Sequence, residues 1–130
     1  MSDFAVLNAL ASIREQMIGQ TQRLRGHSAV TKAESRLEIR DYPEGGTHVE
    51  TYIDAELEDG HALTWWLEAR HANGRWAVEA TIHQTGLNGQ NVVRQLEARA
   101  AATSAAELAA NLTSAANELL GAIDVFLERG

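Results

Sequence analysis

A central stretch of about fifty residues in this chain alternates apolar and polar positions with period two, and a segment of helical period flanks it on each side. On the N-terminal side Phe4, Leu7, Leu10, Ala11, Met17, Ile18 and Leu24 fall along one face of a helix, with Ser2 or Asp3 as its cap. Gly19 weakens that helix by about 1 kcal/mol relative to Ala, and marks close packing or fraying. Arg25 to Glu34 shows no clear period and reads as a connector, with an early strand around Val30 to Ala33. Ser35 to Asp41 is the first full strand, and Tyr42 to Gly46 turns the chain. Thr47 to Leu57 is the second, with Val49, Thr51, Ile53, Ala55 and Leu57 pointing one way. His61 to His71 is the third, burying Leu63, Trp65, Leu67 and Ala69. Arg75 to His83 is the fourth, burying Trp76, Val78, Ala80 and Ile82.

Two tight turns join the central strands. Glu58-Asp-Gly60 is a three-residue loop with glycine at the left-handed position, and Asn73-Gly74 is a strong hairpin signal. After a loop from Thr85 to Gln90, Val92 to Ala101 forms a fifth strand with Leu96, Ala98 and Ala100 inward. Ser104-Ala-Ala-Glu107 is a capping box that opens the last helix, whose stripe is Leu108, Leu112, Ala115, Leu119, Ile123 and Phe126. Gly121 in that helix is placed for close approach to the sheet. The order predicts an α+β fold of one domain, residues 1–130. A five-stranded antiparallel meander forms one layer, and both helices cover its apolar face in a two-layer sandwich. The other sheet face stays open.

The turns also fix the register. Glu50 opposes Glu68, which opposes Glu79; Tyr52 opposes Trp66, which opposes Thr81; His48 opposes Arg70, which opposes Ala77. Three carboxylates in one row is an arrangement that stability alone disfavours, because like charges directly opposed repel. Beside them Tyr52 and Trp66 are anchors of the kind found at protein interfaces. The competing account is an ordinary solvated acidic face, which Arg70, Arg36, Arg40 and Arg99 neutralise diagonally. Trp66 weighs against it, since an uncovered tryptophan in mid-face lowers solubility.

Charge narrows the partner. Eighteen acidic against eleven basic residues leave a net charge of −7, the wrong sign for nucleic acid or an anionic membrane, and the right one for a basic protein. With no cysteine there is no disulfide, no thiolate metal site and no cysteine nucleophile. The start, Met1-Ser-Asp-Phe4, lacks the n- and h-regions of a signal peptide, and no apolar run is long enough to span a bilayer; the expected location is cytoplasmic.

The catalytic alternatives are weak. The five histidines scatter over rows and strand ends, so no metal site is expected. Gly86-Leu-Asn-Gly89 joins two strands and opens no helix, so it lacks what a phosphate loop needs. Asp54, Thr64 and His83 share a row, but Asp54 and His83 lie two strands apart, about 9–10 Å. Glu50 with Glu68 resembles a paired-carboxylate acid/base site without the cleft that would separate their titrations. Few polar residues point inward, and Arg94 is the best lead among them, because its parity places it on the core side of the fifth strand. With Thr51 it marks an alternative ligand site between helices and sheet.

The size, acidity, lack of cysteine and terminal helices around an antiparallel sheet look like the small acidic secretion chaperones and like immunity proteins that neutralise bacterial toxins. That resemblance implies a non-enzymatic protein that binds another protein. The chain departs from the chaperone pattern at Ala72-Asn-Gly74, which leaves no room for that family's middle helix, and no residue role carries over. The expected function is a non-enzymatic binding module. Its acidic open face (Tyr52, Trp66, Glu50, Glu68, Glu79 and Arg70) engages a basic partner, with no cofactor and with a homodimer as a further option. The alternative is a small-ligand protein or enzyme with a pocket near Arg94.

Overall fold

The computed structural model describes residues 2–43, 46–86, 88–89, 91–96 and 99–129, with side chains from residue 4 onward. The capping side chains of Ser2 and Asp3, Glu44 and Gly45 of the first turn, and Ala98 lie outside the described residues. The elements are α1 (Ser2–Arg25), β1 (Val30–Tyr42), β2 (Gly46–Leu57), β3 (Ala62–Ala72), β4 (Arg75–Thr85), β5 (Asn91–Gln95) and α2 (Ala105–Glu128). The strands form one antiparallel sheet in the order β1-β2-β3-β4-β5, an α+β meander with a helix at each end. The helices pack on each other and on one sheet face, α1 over β1 and β2, α2 over β3 and β4.

Both turn-derived registers are present. Leu57 donates its N–H to the His61 carbonyl at 2.8 Å, which pairs Glu50 with Glu68, Tyr52 with Trp66 and Asp54 with Thr64. Asn73 and Gly74 both take positive φ, 56° and 74°, so Ala72 pairs with Arg75 and Glu68 with Glu79. Glycine is required at position 46, where φ is 77° and an added Cβ would collide with the His71 carbonyl. The inward residues form the core: Ile53, Ala55, Trp65, Leu67, Ala69, Val78 and Ala80 from the sheet meet Ile13, Met17, Leu24, Leu112, Leu119 and Ile123 from the helices. Ser104 caps α2 by accepting the Glu107 N–H. Asp124 clamps the helices together. Its carboxylate accepts from Gln20 at 2.7 Å and from Arg23 at 2.9 Å, and that pairing, Gln20 first, holds it below the usual range.

Several boundaries differ from the sequence expectation. The connector is only residues 26–29; the early strand and the Ser35 to Asp41 strand are one continuous β1, with a bulge between Val30 and Lys32. Aperiodic Arg25 to Glu34 concealed this, because the bulge breaks the alternation where β1 begins. The fifth strand stops at Gln95 and not at Ala101; Leu96 still donates its N–H to the Ala80 carbonyl, and Ala102 forms an isolated bridge with Trp76. The α1 stripe is not wholly inward: Phe4 and Leu7 are 63% and 61% exposed, and Ile18 in mid-helix is exposed as well. Neither Gly19 nor Gly121 has an atom within 4 Å of the position a Cβ would take, so neither serves close packing.

Trp65, buried on β3 with its ring edge-on to Phe126 at 5.6 Å, joins the two layers. Trp65→Ala is expected to lower unfolding free energy by about 3–5 kcal/mol in a urea titration. A loss below about 1 kcal/mol would place this side chain outside the core.

Candidate functional site

The open face is built by the outward positions of β1 to β4. Register between β1 and β2 pairs Glu38 with Glu50, so the acidic row is four residues wide, Glu38–Glu50–Glu68–Glu79. Sequence reasoning missed Glu38, although the assigned strand ends, Asp41 and Thr47, face each other and would have given it. On one side of this row lie Arg40, His48 and Arg70, and on the other Arg36, Tyr52, Trp66 and Thr81.

The row is only partly neutralised. Arg70 spans two of its members, with Nε 3.0 Å from Glu68 and a terminal nitrogen 2.7 Å from Glu79. Arg40 pairs with Glu38, and the Arg40 guanidinium holds that carboxyl below the usual range. Arg36 turns to Glu34, at 3.8 Å. Arg99, expected to reach this face, bonds Glu118 and Ser114 on α2 instead. Asp54 accepts from Thr64 at 2.5 Å, while His83 bonds Thr81 and not Thr64, so the row of three makes no relay.

Glu50 is the exception to an exposed face: it is 5% exposed. It lies on an inner strand with a glutamate on either side, and its carboxyl meets that of Glu68. Burial pushes the Glu68 carboxyl above its ordinary value, and the Glu50 carboxyl adds to the rise; Arg70 and His48 oppose it without cancelling it. His48 Nδ1 stands 3.8 Å from Glu68, so His48, Glu50 and Glu68 gather their ligand atoms within 4.8 Å of one another. The expectation of scattered histidines overlooked this diagonal. A bound divalent ion with ligands at about 2.0–2.2 Å would draw the set closer than this. Arg70 meanwhile places a positive charge on Glu68. The chemistry the cluster offers as it stands is the holding of a proton or a cationic group.

The aromatic pair is intact. Tyr52 and Trp66 stack with centroids 5.0 Å apart and planes 22° from parallel, and His83 lies against the other side of Trp66 at 5.8 Å. The Tyr52 hydroxyl donates to Glu38 at 3.2 Å. Burial raises the Tyr52 phenol above its ordinary value. Trp66 is half-buried by these neighbours on its own face, leaving the rest of the indole accessible from solvent.

The alternative site is not assembled as expected. Arg94 pairs with Ile82 on the helix side of β5, as its parity implied, but it is exposed. Neither helix packs on β5, and the gap is a cleft of about 530 Å³ between β5 and α2, lined by Trp65, Ile82, Val92, Arg94, Phe126 and others. Thr51 is on β2 and does not line it; Thr51 Oγ1 is buried without a hydrogen-bond partner among the described residues. Trp76 lines a separate groove with Leu7 and Leu108.

A group whose folded pKa is raised binds its proton more tightly in the folded state, so the stability it confers is present at low pH and lost as pH rises through the folded value. For Glu68 that loss begins near the ordinary value of 4.5 and continues as pH rises through the raised folded value. Glu68→Gln is therefore expected to match wild-type melting temperature below pH 4 and to equal or exceed it at pH 7 in low salt. A clear loss at pH 7 would show that the Arg70 pairing outweighs the burial. Compared with known proteins, the chain matches no family model, no curated protein and no solved structure, so its function is read from its own geometry.

Proposed function

We propose that this chain is a non-enzymatic protein-binding module whose open sheet face engages a partner of basic character. The observation that carries this reading is the stacked Tyr52–Trp66 pair set beside a four-glutamate row on a face that neither helix covers. Among the described residues seven carboxylates (Glu34, Glu38, Glu50, Asp54, Glu56, Glu68 and Glu79) share that face with five Lys or Arg side chains (Lys32, Arg36, Arg40, Arg70 and Arg75). The surplus sets up a field that speeds encounter with a cationic surface, and the indole and phenol supply area that is desolvated on contact. Immunity-like or chaperone-like action is of this kind. Binding would relieve the crowding of Glu50 against Glu68 if the partner placed Lys or Arg over the row. Among the described residues no helix is long and apolar enough to cross a membrane.

A second reading, a small-ligand site, is favoured by the cleft under Arg94, where largely apolar walls meet two guanidiniums, Arg94 and Arg129, with Glu118 beside them, a setting that suits an apolar anion. Its width and the exposure of Arg94 make it the weaker of the two.

The test compares wild type with a Trp66→Ala, Glu68→Gln double variant in affinity capture from source-cell lysate, read by mass spectrometry. The expected result is one basic protein held by the wild type, lost by the variant, and released by raising salt from about 0.1 to 0.5 M, where the Debye length shrinks. Equal capture by both proteins, or capture indifferent to salt, would remove the open face as the working surface.

A further inference from the structure

β1 is an edge strand, 13 residues long, paired with β2 on one side and with no strand on the other among the described residues. Such an edge offers its free backbone groups to any further strand, and proteins blunt it with charge, proline or a bulge; here Arg25 Nε also donates to the Ala33 carbonyl at 2.8 Å, which leaves the edge open beyond Ala33. The bulge here lies between Val30 and Lys32, and from Lys32 to Tyr42 the strand is regular. On the helix side of this regular part, Leu37 and Ile39 are 37% and 66% exposed. On the open side the charges alternate without a break: Lys32, Glu34, Arg36, Glu38, Arg40.

Alternating charge guards an edge only against a strand that presents like charge in register. When a strand pairs antiparallel with its own copy, the twofold axis decides which residues meet. An axis at Arg36 sets Arg36 on Arg36, Glu34 on Glu38 and Lys32 on Arg40, and every contact repels. An axis at Leu37 reverses this: Arg36 meets Glu38 of the second copy, Glu34 meets Arg40, Leu37 meets Leu37, and Ser35 meets Ile39. An axis at Ser35 also matches opposite charges, but it carries the pairing into the bulge and centres two serines in place of two leucines.

We propose that the chain forms a twofold dimer through β1, antiparallel to its copy, with the axis at Leu37. The same-strand ion pairs Arg36–Glu34 and Arg40–Glu38 are exchanged for pairs across the axis. The sheet becomes continuous through both copies and the exposed edge disappears. In this register the acidic row of one copy runs on into the Arg36–Tyr52–Trp66 row of the other, so the glutamates are not doubled. The dimer stands independently of the partner-binding reading, because it uses the edge and not the open face.

Sedimentation velocity of the full chain over a concentration series is the first test, with melting curves to confirm that each variant is folded. The wild type is expected to dimerise. Arg36→Glu should weaken the dimer by about tenfold or more, because Glu then faces Glu38 across the axis. The double variant Arg36→Glu, Glu38→Arg should restore it, whereas an axis at Ser35 would leave the double variant as weak as the single. The chain has no cysteine, so Leu37→Cys introduces one thiol per copy. Facing Cα atoms in an antiparallel pair are about 4.5–5.5 Å apart, within disulfide reach. Mild oxidation should therefore link Leu37→Cys chains and leave Ser35→Cys chains unlinked. A wild type that stays monomeric at every concentration, or cross-linking at Ser35→Cys in place of Leu37→Cys, overturns the proposal.

Discussion

The register of β2, β3 and β4 is the constraint on which the rest of the molecule depends. A slip of one residue at either turn would carry Trp65 and Leu67 to solvent and Trp66 and Glu68 into the helices. Two local devices prevent it: the Gly60 N–H closing onto the Leu57 carbonyl at 3.0 Å, and the left-handed Asn73-Gly74 pair. Because three long strands share this register, one choice of parity at the turns decides both the composition of the core and that of the open face. The glutamate row is a consequence of the same choice that buries Trp65.

That row is maintained against its own repulsion. Glu50 is deeply buried with a carboxyl neighbour, while Arg70 lies one row away and reaches Glu68 and Glu79. A stability-driven sequence would place a basic residue in the row itself, between the acids. Here the basic residues stand in the flanking rows, so positive charge reaches the row from the side and the carboxylates keep their own line across the face. The Tyr52–Trp66 stack occupies the next row, which puts the largest apolar surface of the open face directly against its densest charge.

What was legible in the sequence was local. Turn chemistry at Gly60 and Asn73-Gly74, the parity of the strands and the Ser104 cap each depend on residues within a few positions of one another, and each is present in the structure. What was hidden depends on where the layers end. The period of α1 places Phe4, Leu7 and Ile18 in its inward stripe, yet they are exposed. Glu50 has the parity of an exposed residue, yet it is buried because its neighbours within the face are bulky and close on both sides. Arg94 has inward parity and is exposed because β5 lies beyond the reach of α2. Parity fixes the side of the sheet, and lateral position decides whether that side is dry.

The two lateral limits of the sheet are managed differently, and the difference bears on what the protein meets. β5 is short, 5 residues, so it offers little backbone to another strand. Its shortness also opens the cleft beneath Arg94. β1 is more than twice as long and regular beyond its bulge, and its outward charges alternate so that protection depends on register. Where every edge charge has one sign, a strand of that sign is repelled in any alignment. With alternating signs, half of the alignments are repelled and the other half are attracted. An edge built in this way does not exclude strands in general; it selects the register in which one can be accepted, and its own sequence is the nearest strand that satisfies the selection.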